Sequence, residues 1–263
     1  MPTATVILPA AGRGRRFGAP GAHRADTPAP EAATKAFAVM AGRPILAHTL
    51  DRFARLESVV EIIVPVPAGA VAWARKTFGD SVGAGLPAVA GRPLVFVAGG
   101  EQRTESVARA LEASDGGTEL VVIHDAVRPL IRPAVIEEAM RVAVEVGAAV
   151  VGRPVDHTIK SVRDGSCPAG SRWDRRVAET IPRKNLWLAQ TPQVFRRDIL
   201  TRAYEHRSAV VGEITDDAQL VEAIGEAVVM VEGDAANVKI TRAEDLRLCE
   251  ALLAAGWPFE NRG

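Results

Sequence analysis

The chain has 263 residues, enough to bury one large core or two small ones. Hydrophobic residues make up 48% and charged residues 24%, the balance of an ordinary globular enzyme, and 32 basic residues meet 32 acidic ones. That neutrality excludes a global basic field for nucleic acid, while local clusters can still hold a small anion. Cys167 and Cys249 form neither a CxxC nor a disulfide framework, which suits a reducing compartment. The five scattered histidines include no HxxxH or HExxH pair for zinc. The apolar start at 3–11 lacks a basic flank and runs straight into a glycine-arginine loop, unlike a signal peptide. No apolar run is long enough to span a bilayer, so the expected location is the cytoplasm and no membrane partner is expected.

Taken in chain order, residues 4–8 read as a buried strand. Residues 19–33, with Pro20, Pro28 and Pro30, read as loop. A helix is predicted over 44–56, with Pro44 in its first turn and Ile45, Thr49, Leu50 and Phe53 on one face. Then come a strand at 61–66, a helix at 68–78, a strand at 94–98 and a helix from about 104 to 113. A strand at 120–124, a helix at 133–146 and a strand opening at 148–151 follow. This alternation predicts parallel strands with right-handed crossovers: an α/β three-layer sandwich around a mostly parallel, Rossmann-like sheet. Ligands of such sheets sit beyond the carboxyl ends of the strands, here the loops after Leu8, Ala98 and His124.

Residues 158–162 and 176–181 read as two strands joined by a turn-rich stretch, 163–172. The segment 156–182 is thus expected to project as a β-hairpin arm, inserted in a single domain spanning 1–263. An arm with exposed apolar residues packs on a partner subunit, so a homodimer is expected. The tail predicts helices at 198–206 and 216–224, strands at 227–231 and 238–240, and a last helix at 242–255 that ends at Gly256 with Pro258 beyond.

The loop Pro9-Ala10-Ala11-Gly12-Arg13-Gly14-Arg15-Arg16-Phe17 follows the first strand. Small residues and glycines let backbone N–H groups approach anionic oxygens, and arginines add charge at the same place. No GK[ST] follows, so it is not a Walker A loop, and Phe17 occupies the position where the dinucleotide fingerprint needs a third glycine. By itself it says that an anion sits near a strand end.

Further motifs follow in order: Gly-Gly-x-x-Arg-x-x-Ser at 99–106, His-Asp-Ala-x-Arg-Pro at 124–129 and Pro-Val-x-x-Thr-x-Lys at 154–160. Thr-Pro-Gln-x-Phe stands at 191–195, Thr-Asp-Asp at 215–217 and Asn-x-Lys-x-Thr at 237–241. With the loop at 9–16, the set resembles 2-C-methyl-D-erythritol 4-phosphate cytidylyltransferases, within the sugar-phosphate nucleotidyltransferases. The resemblance implies the fold of the nucleotide-diphospho-sugar transferases. It also implies transfer of CMP from CTP to methylerythritol phosphate, with magnesium or another divalent cation, in non-mevalonate isoprenoid synthesis. Ribitol-5-phosphate cytidylyltransferases share most of these motifs, and a non-catalytic nucleotide-binding relative is a further alternative.

The resemblance also implies roles. Arg16 and Lys35 would be cations on the triphosphate, and Pro9, Ala10, Ala11, Gly12 and Gly14 its backbone cradle. Gly100, Glu101, Ser106 and Ala126 would lie by the nucleotide, with Glu101 where the family commonly has aspartate. Asp125 would lie by the metal and the substrate hydroxyls, and magnesium does prefer hard oxygen ligands shared with phosphates. Arg128 would brace the loop. Thr191, Thr215 and Lys239 would hold the acceptor, a polyol phosphate, with Thr158 and Arg183 reaching in from a neighbouring subunit's arm. Asp216 and Asp217 read as residues complementing a helix dipole. Lys35 lies in Thr34-Lys35-Ala36, where the family has Pro-Lys-Gln, and His157 replaces an aspartate before Thr158.

Overall fold

The structure is a computed structural model that describes residues 2–12, 34–79, 93–164 and 175–257. The chain opens with β1 (Ala4–Ile7), four consecutive buried residues. A 3-10 turn over Lys35–Phe37 leads to a small hairpin of β2 (Val39–Met40) and β3 (Arg43–Pro44). Its two turn residues, Ala41 and Gly42, take positive φ of 47° and 81°, the left-handed backbone that a two-residue hairpin turn needs and that glycine adopts freely. α1 (Ile45–Ala54) follows. Pro44 therefore precedes the helix, paired with Val39, instead of occupying its first turn.

β4 (Val59–Val66) is next. The segment expected as one helix is helical but not uniformly α: a 3-10 turn at Ala68–Ala70, α2 (Val71–Ala74), and a wider π turn at Arg75–Gly79. Then come β5 (Leu94–Ala98), α3 (Arg103–Glu112), β6 (Leu120–Ile123), α4 (Pro133–Val146) and β7 (Ala148–Pro154). Pro133 starts α4 where its missing N–H costs nothing, and Gly147, at φ 104°, ends it. The arm strands are β8 (Ile159–Asp164) and β9 (Arg175–Ile181), followed by β10 (Trp187–Arg196), α5 (Arg197–Glu205), α6 (Ala218–Ala223), β11 (Val229–Glu232) and α7 (Ala243–Ala254).

The central sheet has seven strands in the order β11-β7-β10-β6-β1-β4-β5. All neighbours are parallel except β10, which runs antiparallel between β6 and β7. Strand side chains alternate between two cores. Val6, Ile62, Val64, Leu120 and Val122 face one side with α1, α4 and α7, while Ile7, Ile63, Val121 and Ile123 face the other with α3, α5 and α6. These two faces make the three-layer α/β sandwich expected from the sequence.

Two strand readings need correction. The sequence pattern does not predict β10, because Gln190, Thr191, Pro192 and Gln193 interrupt its apolar run. The proline is tolerated where the pairing with β7 breaks register between Ala189 and Gln193. Conversely, 238–240 is not a strand. Ile240 N–H donates to Val127 O at 2.9 Å, and the bonds at Asn237 and Val238 are local turns, so the segment crosses the sheet's end without joining a ladder.

β8 and β9 form their own two-stranded sheet, with Val162 opposite Val177, both exposed. Leu186, Trp187 and Leu188 add exposed apolar surface at the arm's foot. The turn between β8 and β9, residues 165–174, lies outside the described residues. Among the described residues no helix is long and apolar enough to cross a membrane.

Candidate active site

The carboxyl ends of β1, β5 and β6 meet at one edge of the sheet. Beyond β1, Leu8 N–H donates to Ile63 O and Ala10 N–H to Pro65 O, at 2.9 and 2.8 Å, so Pro9, Ala10 and Ala11 run on beside β4. Beyond β5, Gly99 N–H donates to Val66 O at 2.8 Å. The two loops touch: a Cβ on Gly99 would lie 2.4 Å from the Ala11 Cβ and 2.9 Å from Ser106 Oγ. Glycine is required there by close approach. Among the described residues a Cβ on Gly12 would meet nothing within 4 Å. Gly14 and Arg16 lie outside the described residues. Lys35, half-buried, begins the 3-10 turn over Lys35–Phe37.

The Gly99–Ser106 turn is held by the first turn of α3. Gly100 N–H donates to Ser106 Oγ at 3.0 Å, and the same hydroxyl donates to Gln102 O at 3.1 Å. Glu105 Oε2 accepts from the N–H groups of Glu101 and Gln102, at 2.8 and 3.4 Å. Ser106 is buried and its hydroxyl is used in both directions, while Glu101 is exposed. The Ser106 hydroxyl therefore shapes this turn, whatever the turn then holds.

His124 and Asp125 follow β6. His124 Nε2 lies 3.0 Å from Arg128 O, and Nδ1 lies 3.1 Å from Thr191 Oγ1. A carbonyl can only accept, so the proton sits on Nε2 and the Thr191 hydroxyl donates to Nδ1. That hydroxyl also accepts from Asp125 N–H at 3.0 Å. Thr191 thus braces the backbone beneath Asp125. Burial lowers the pKa of His124 to about 4, outweighing its bond to the Arg128 carbonyl. Ala126 is buried, and its carbonyl accepts from the Thr49 hydroxyl at 2.9 Å.

Three cations surround the Asp125 carboxylate. Lys239 Nζ and Arg128 Nε lie 3.0 and 3.2 Å from Oδ2, and Arg103 Nε lies 3.7 Å from Oδ1. Burial pushes this carboxyl up, but Lys239, then Arg103 and Arg128, hold it well below the usual carboxylate range. Arg128 also donates from Nη1 to Asn237 O at 2.8 Å, and Asn237 Nδ2 donates to Thr191 O at 2.8 Å. These bonds, with Ile240 N–H on Val127 O, clip residues 237–240 onto the loop after β6 and deliver Lys239 to Asp125. Arg128 braces the loop as expected, and Lys239, flanked by half-buried Val238 and buried Ile240, turns outward with its side chain 42% exposed.

Other predicted positions stand apart. Thr215 is exposed, with its N–H on Gln219 Oε1 at 3.0 Å. Thr158 and Arg183 are exposed at the arm's foot, where Arg183 donates to Asp156 O. Among the described residues neither carries a hydrogen bond or ion pair to the Asp125 cluster. Asp216 does act at the start of α6, accepting from Gln219 N–H at 3.0 Å. Asp217 does not merely complement the dipole: it is fully buried and accepts from Arg103 Nη1 and the Tyr204 hydroxyl, both at 2.6 Å. The motif Gly-Gly-x-x-Arg at 99–103 held the signal for Arg103, but nothing in sequence linked it to Asp217.

Loops of small residues at two strand ends, with cations gathered on a carboxylate at a third, suit a reaction between two phosphorylated partners. The class so defined is that of the nucleotidyltransferases. Residues 4–255 match the model of the family described as 2-C-methyl-D-erythritol 4-phosphate cytidylyltransferase. The chain belongs to that family. The protein of this name from Solibacter usitatus is 39% identical over 250 residues, covering 94% of each chain. That from Geotalea uraniireducens is 39% identical over 251 residues, covering 95% of this chain and 96% of its own. Among solved structures, the 2-C-methyl-D-erythritol 4-phosphate cytidylyltransferase from Thermus thermophilus is 33% identical with a TM-score of 0.69, covering 97% of this chain and all of that one. The 4-diphosphocytidyl-2C-methyl-D-erythritol synthase from Anaerococcus prevotii superposes with a TM-score of 0.73 at 26% identity, covering 96% of each.

Proposed function

We propose that this chain transfers CMP from CTP to 2-C-methyl-D-erythritol 4-phosphate, releasing pyrophosphate, in isoprenoid precursor synthesis. The observation that carries the reading is Lys239 Nζ on Asp125 at the tip of β6, 3.0 Å away, in a chain that matches this family over 4–255. An oxygen of the acceptor's phosphate attacks the α-phosphorus of CTP. The new P–O bond forms as the bond to pyrophosphate breaks. The protein supplies position and charge, because little covalent chemistry is required of it.

In this reading the loop at 9–12, through the N–H groups of Ala11 and Gly12, and the Gly99–Gly100 turn line the nucleotide, and Arg16 and Lys35 serve its phosphates. Lys239 is already gathered at the sheet's edge and takes the acceptor phosphate. Thr158 and Arg183 serve a neighbouring subunit's site across a homodimer, a role supported by the exposed Val162, Val177, Leu186, Trp187 and Leu188 of the arm and its foot. A cytoplasmic location, where CTP is available, is part of this reading.

Magnesium fits the donor set as a shared ion. It commonly takes one or two protein carboxylates and completes its shell with phosphate oxygens and water. Asp125 Oδ1 accepts no hydrogen bond among the described residues, and Arg103 Nε is 3.7 Å from it. Bound there, the ion would supply positive charge to the triphosphate.

The test is pyrophosphate release from the four nucleoside triphosphates paired with methylerythritol 4-phosphate or ribitol 5-phosphate. Release from CTP with the first acceptor is expected. Release with ribitol 5-phosphate alone would replace the acceptor, and tight CTP binding without release from any pair would make the chain a nucleotide-binding relative.

A further inference from the structure

Arg103 opens α3 directly after the nucleotide-side turn, yet its side chain leaves that side. β5 and β6 are separated in the sheet by β4 and β1. The Arg103 guanidinium nevertheless reaches the tip of β6, with Nε 3.7 Å from Asp125 Oδ1, and the start of α6, with Nη1 2.6 Å from Asp217 Oδ2. A side chain carried by the nucleotide turn thus ends in the acceptor half of the cleft.

What holds it there is buried and fully used. Asp217 has no exposed surface, and its second oxygen accepts from the Tyr204 hydroxyl at 2.6 Å. Its backbone N–H and that of Ala218 donate to Gln193 Oε1, at 3.0 and 3.2 Å. Gln193 in turn donates to Asp216 Oδ2 at 2.8 Å. A carboxylate so enclosed is costly unless paired, and it has no oxygen left for a substrate. Arg103 is the opposite case. A guanidinium has five N–H donors, and among the described residues this one makes a single hydrogen bond. Its side chain is 27% exposed, beside Asp125.

We infer that Arg103 contacts the acceptor, an oxygen-rich polyol phosphate, and that Asp217 and Tyr204 are positioning residues that aim it. The inference rests on the reaction proposed above. It makes one side chain the link between the turn that carries the nucleotide and the site of the second substrate. A rigid fork held from behind loses little freedom when it binds, which is the advantage of arginine over lysine at such a place.

The test is steady-state kinetics of the full chain with CTP and methylerythritol 4-phosphate. Arg103→Ala is expected to raise the acceptor KM about tenfold or more while the CTP KM stays within about twofold. Arg103→Lys keeps the charge without the fork and is expected to recover part of that loss. Tyr204→Phe removes one hydroxyl and is expected to raise the acceptor KM about threefold with the same split. Asp217→Asn is expected to match Arg103→Ala, and the double variant to be no worse than either alone, because residues acting in series are not additive. Equal rises in both KM values, or additive losses, would overturn the inference. Thermal melts accompany each variant; should Asp217→Asn fail to fold, Arg103→Ala and Tyr204→Phe decide the matter by the same KM split. Absence of wild-type turnover on this acceptor would overturn the reaction reading and this inference with it, whereas wild-type turnover with a CTP-side defect overturns the inference alone.

Discussion

Gly99→Ala is a one-carbon test of how the nucleotide site is built. The added Cβ would stand 2.4 Å from the Ala11 Cβ, where ordinary contact begins at 3.4 Å. Ala11 belongs to the loop after β1, and Gly99 N–H is tied to Val66 O at 2.8 Å, so Gly99 cannot retreat without losing a backbone bond. The relief must come from the loops parting by about 1 Å, a displacement of the size that can cost on the order of a hundredfold in rate when it falls in a reacting geometry. Overpacking of this kind costs about 1–3 kcal/mol of stability, which a chain of this size survives. The assay is CTP titration in the pyrophosphate-release reaction, alongside a thermal melt. kcat/KM for CTP is expected to fall at least about tenfold, with a melting temperature lowered by several degrees at most. A wild-type CTP parameter in the folded variant would refute the claim that these two loops jointly hold the nucleotide.

Further outcomes concern the cluster around Asp125 and, last, the arm. Asp125→Asn keeps the shape but removes the charge, and is expected to lower kcat about a hundredfold or more while the protein still folds; near-normal turnover would remove Asp125 from the site. Because Lys239 is 42% exposed, solvent screens part of the lost pairing, so the stability cost is expected at about 1–3 kcal/mol by urea unfolding. Unfolded, His124 takes up its proton near pH 6.5, but folded only near 4, so its stabilising contribution is full above about 6.5 and is lost as pH falls toward 4. Urea unfolding at pH 7 and pH 5 should show about 2 kcal/mol more acid loss in the wild type than in His124→Gln, and equal losses would contradict the buried neutral imidazole. Arg183→Ala is expected to weaken use of the acceptor more than of CTP, and a dominant effect on CTP, or a monomer by light scattering, would count against an arm shared between subunits.

Much of this architecture was legible because the physics was local. Buried β-branched runs such as Val59–Val66 and Leu120–Ile123 announce strands by composition, and Pro133 and Gly147 mark both ends of α4. The glycine at 99 was legible as a turn but not as a contact, since Ala11 lies far away in sequence. β10 is hidden because Thr191 serves His124 and Asp125, and Gln193 serves Asp217, at the expense of strand pattern. At Val238, Lys239 and Ile240 the alternation has the form of a strand with an outward lysine; the lysine does face outward but the backbone joins no ladder, because alternation reports which way side chains face and not what the backbone pairs with. Asp217 looked like a helix-start residue for the same reason: its partners, Arg103 and Tyr204, come from two other helices.

The reaction turns on a particular bond: the acceptor's phosphate oxygen joined to the α-phosphorus of CTP. Phosphorus NMR of the running reaction observes it directly. With CTP and methylerythritol 4-phosphate, the monoester signal should give way to the paired signals of a diphosphate diester, with one pyrophosphate formed for each. Loss of CTP to orthophosphate with the monoester signal unchanged, or no change at saturating CTP, would contradict it.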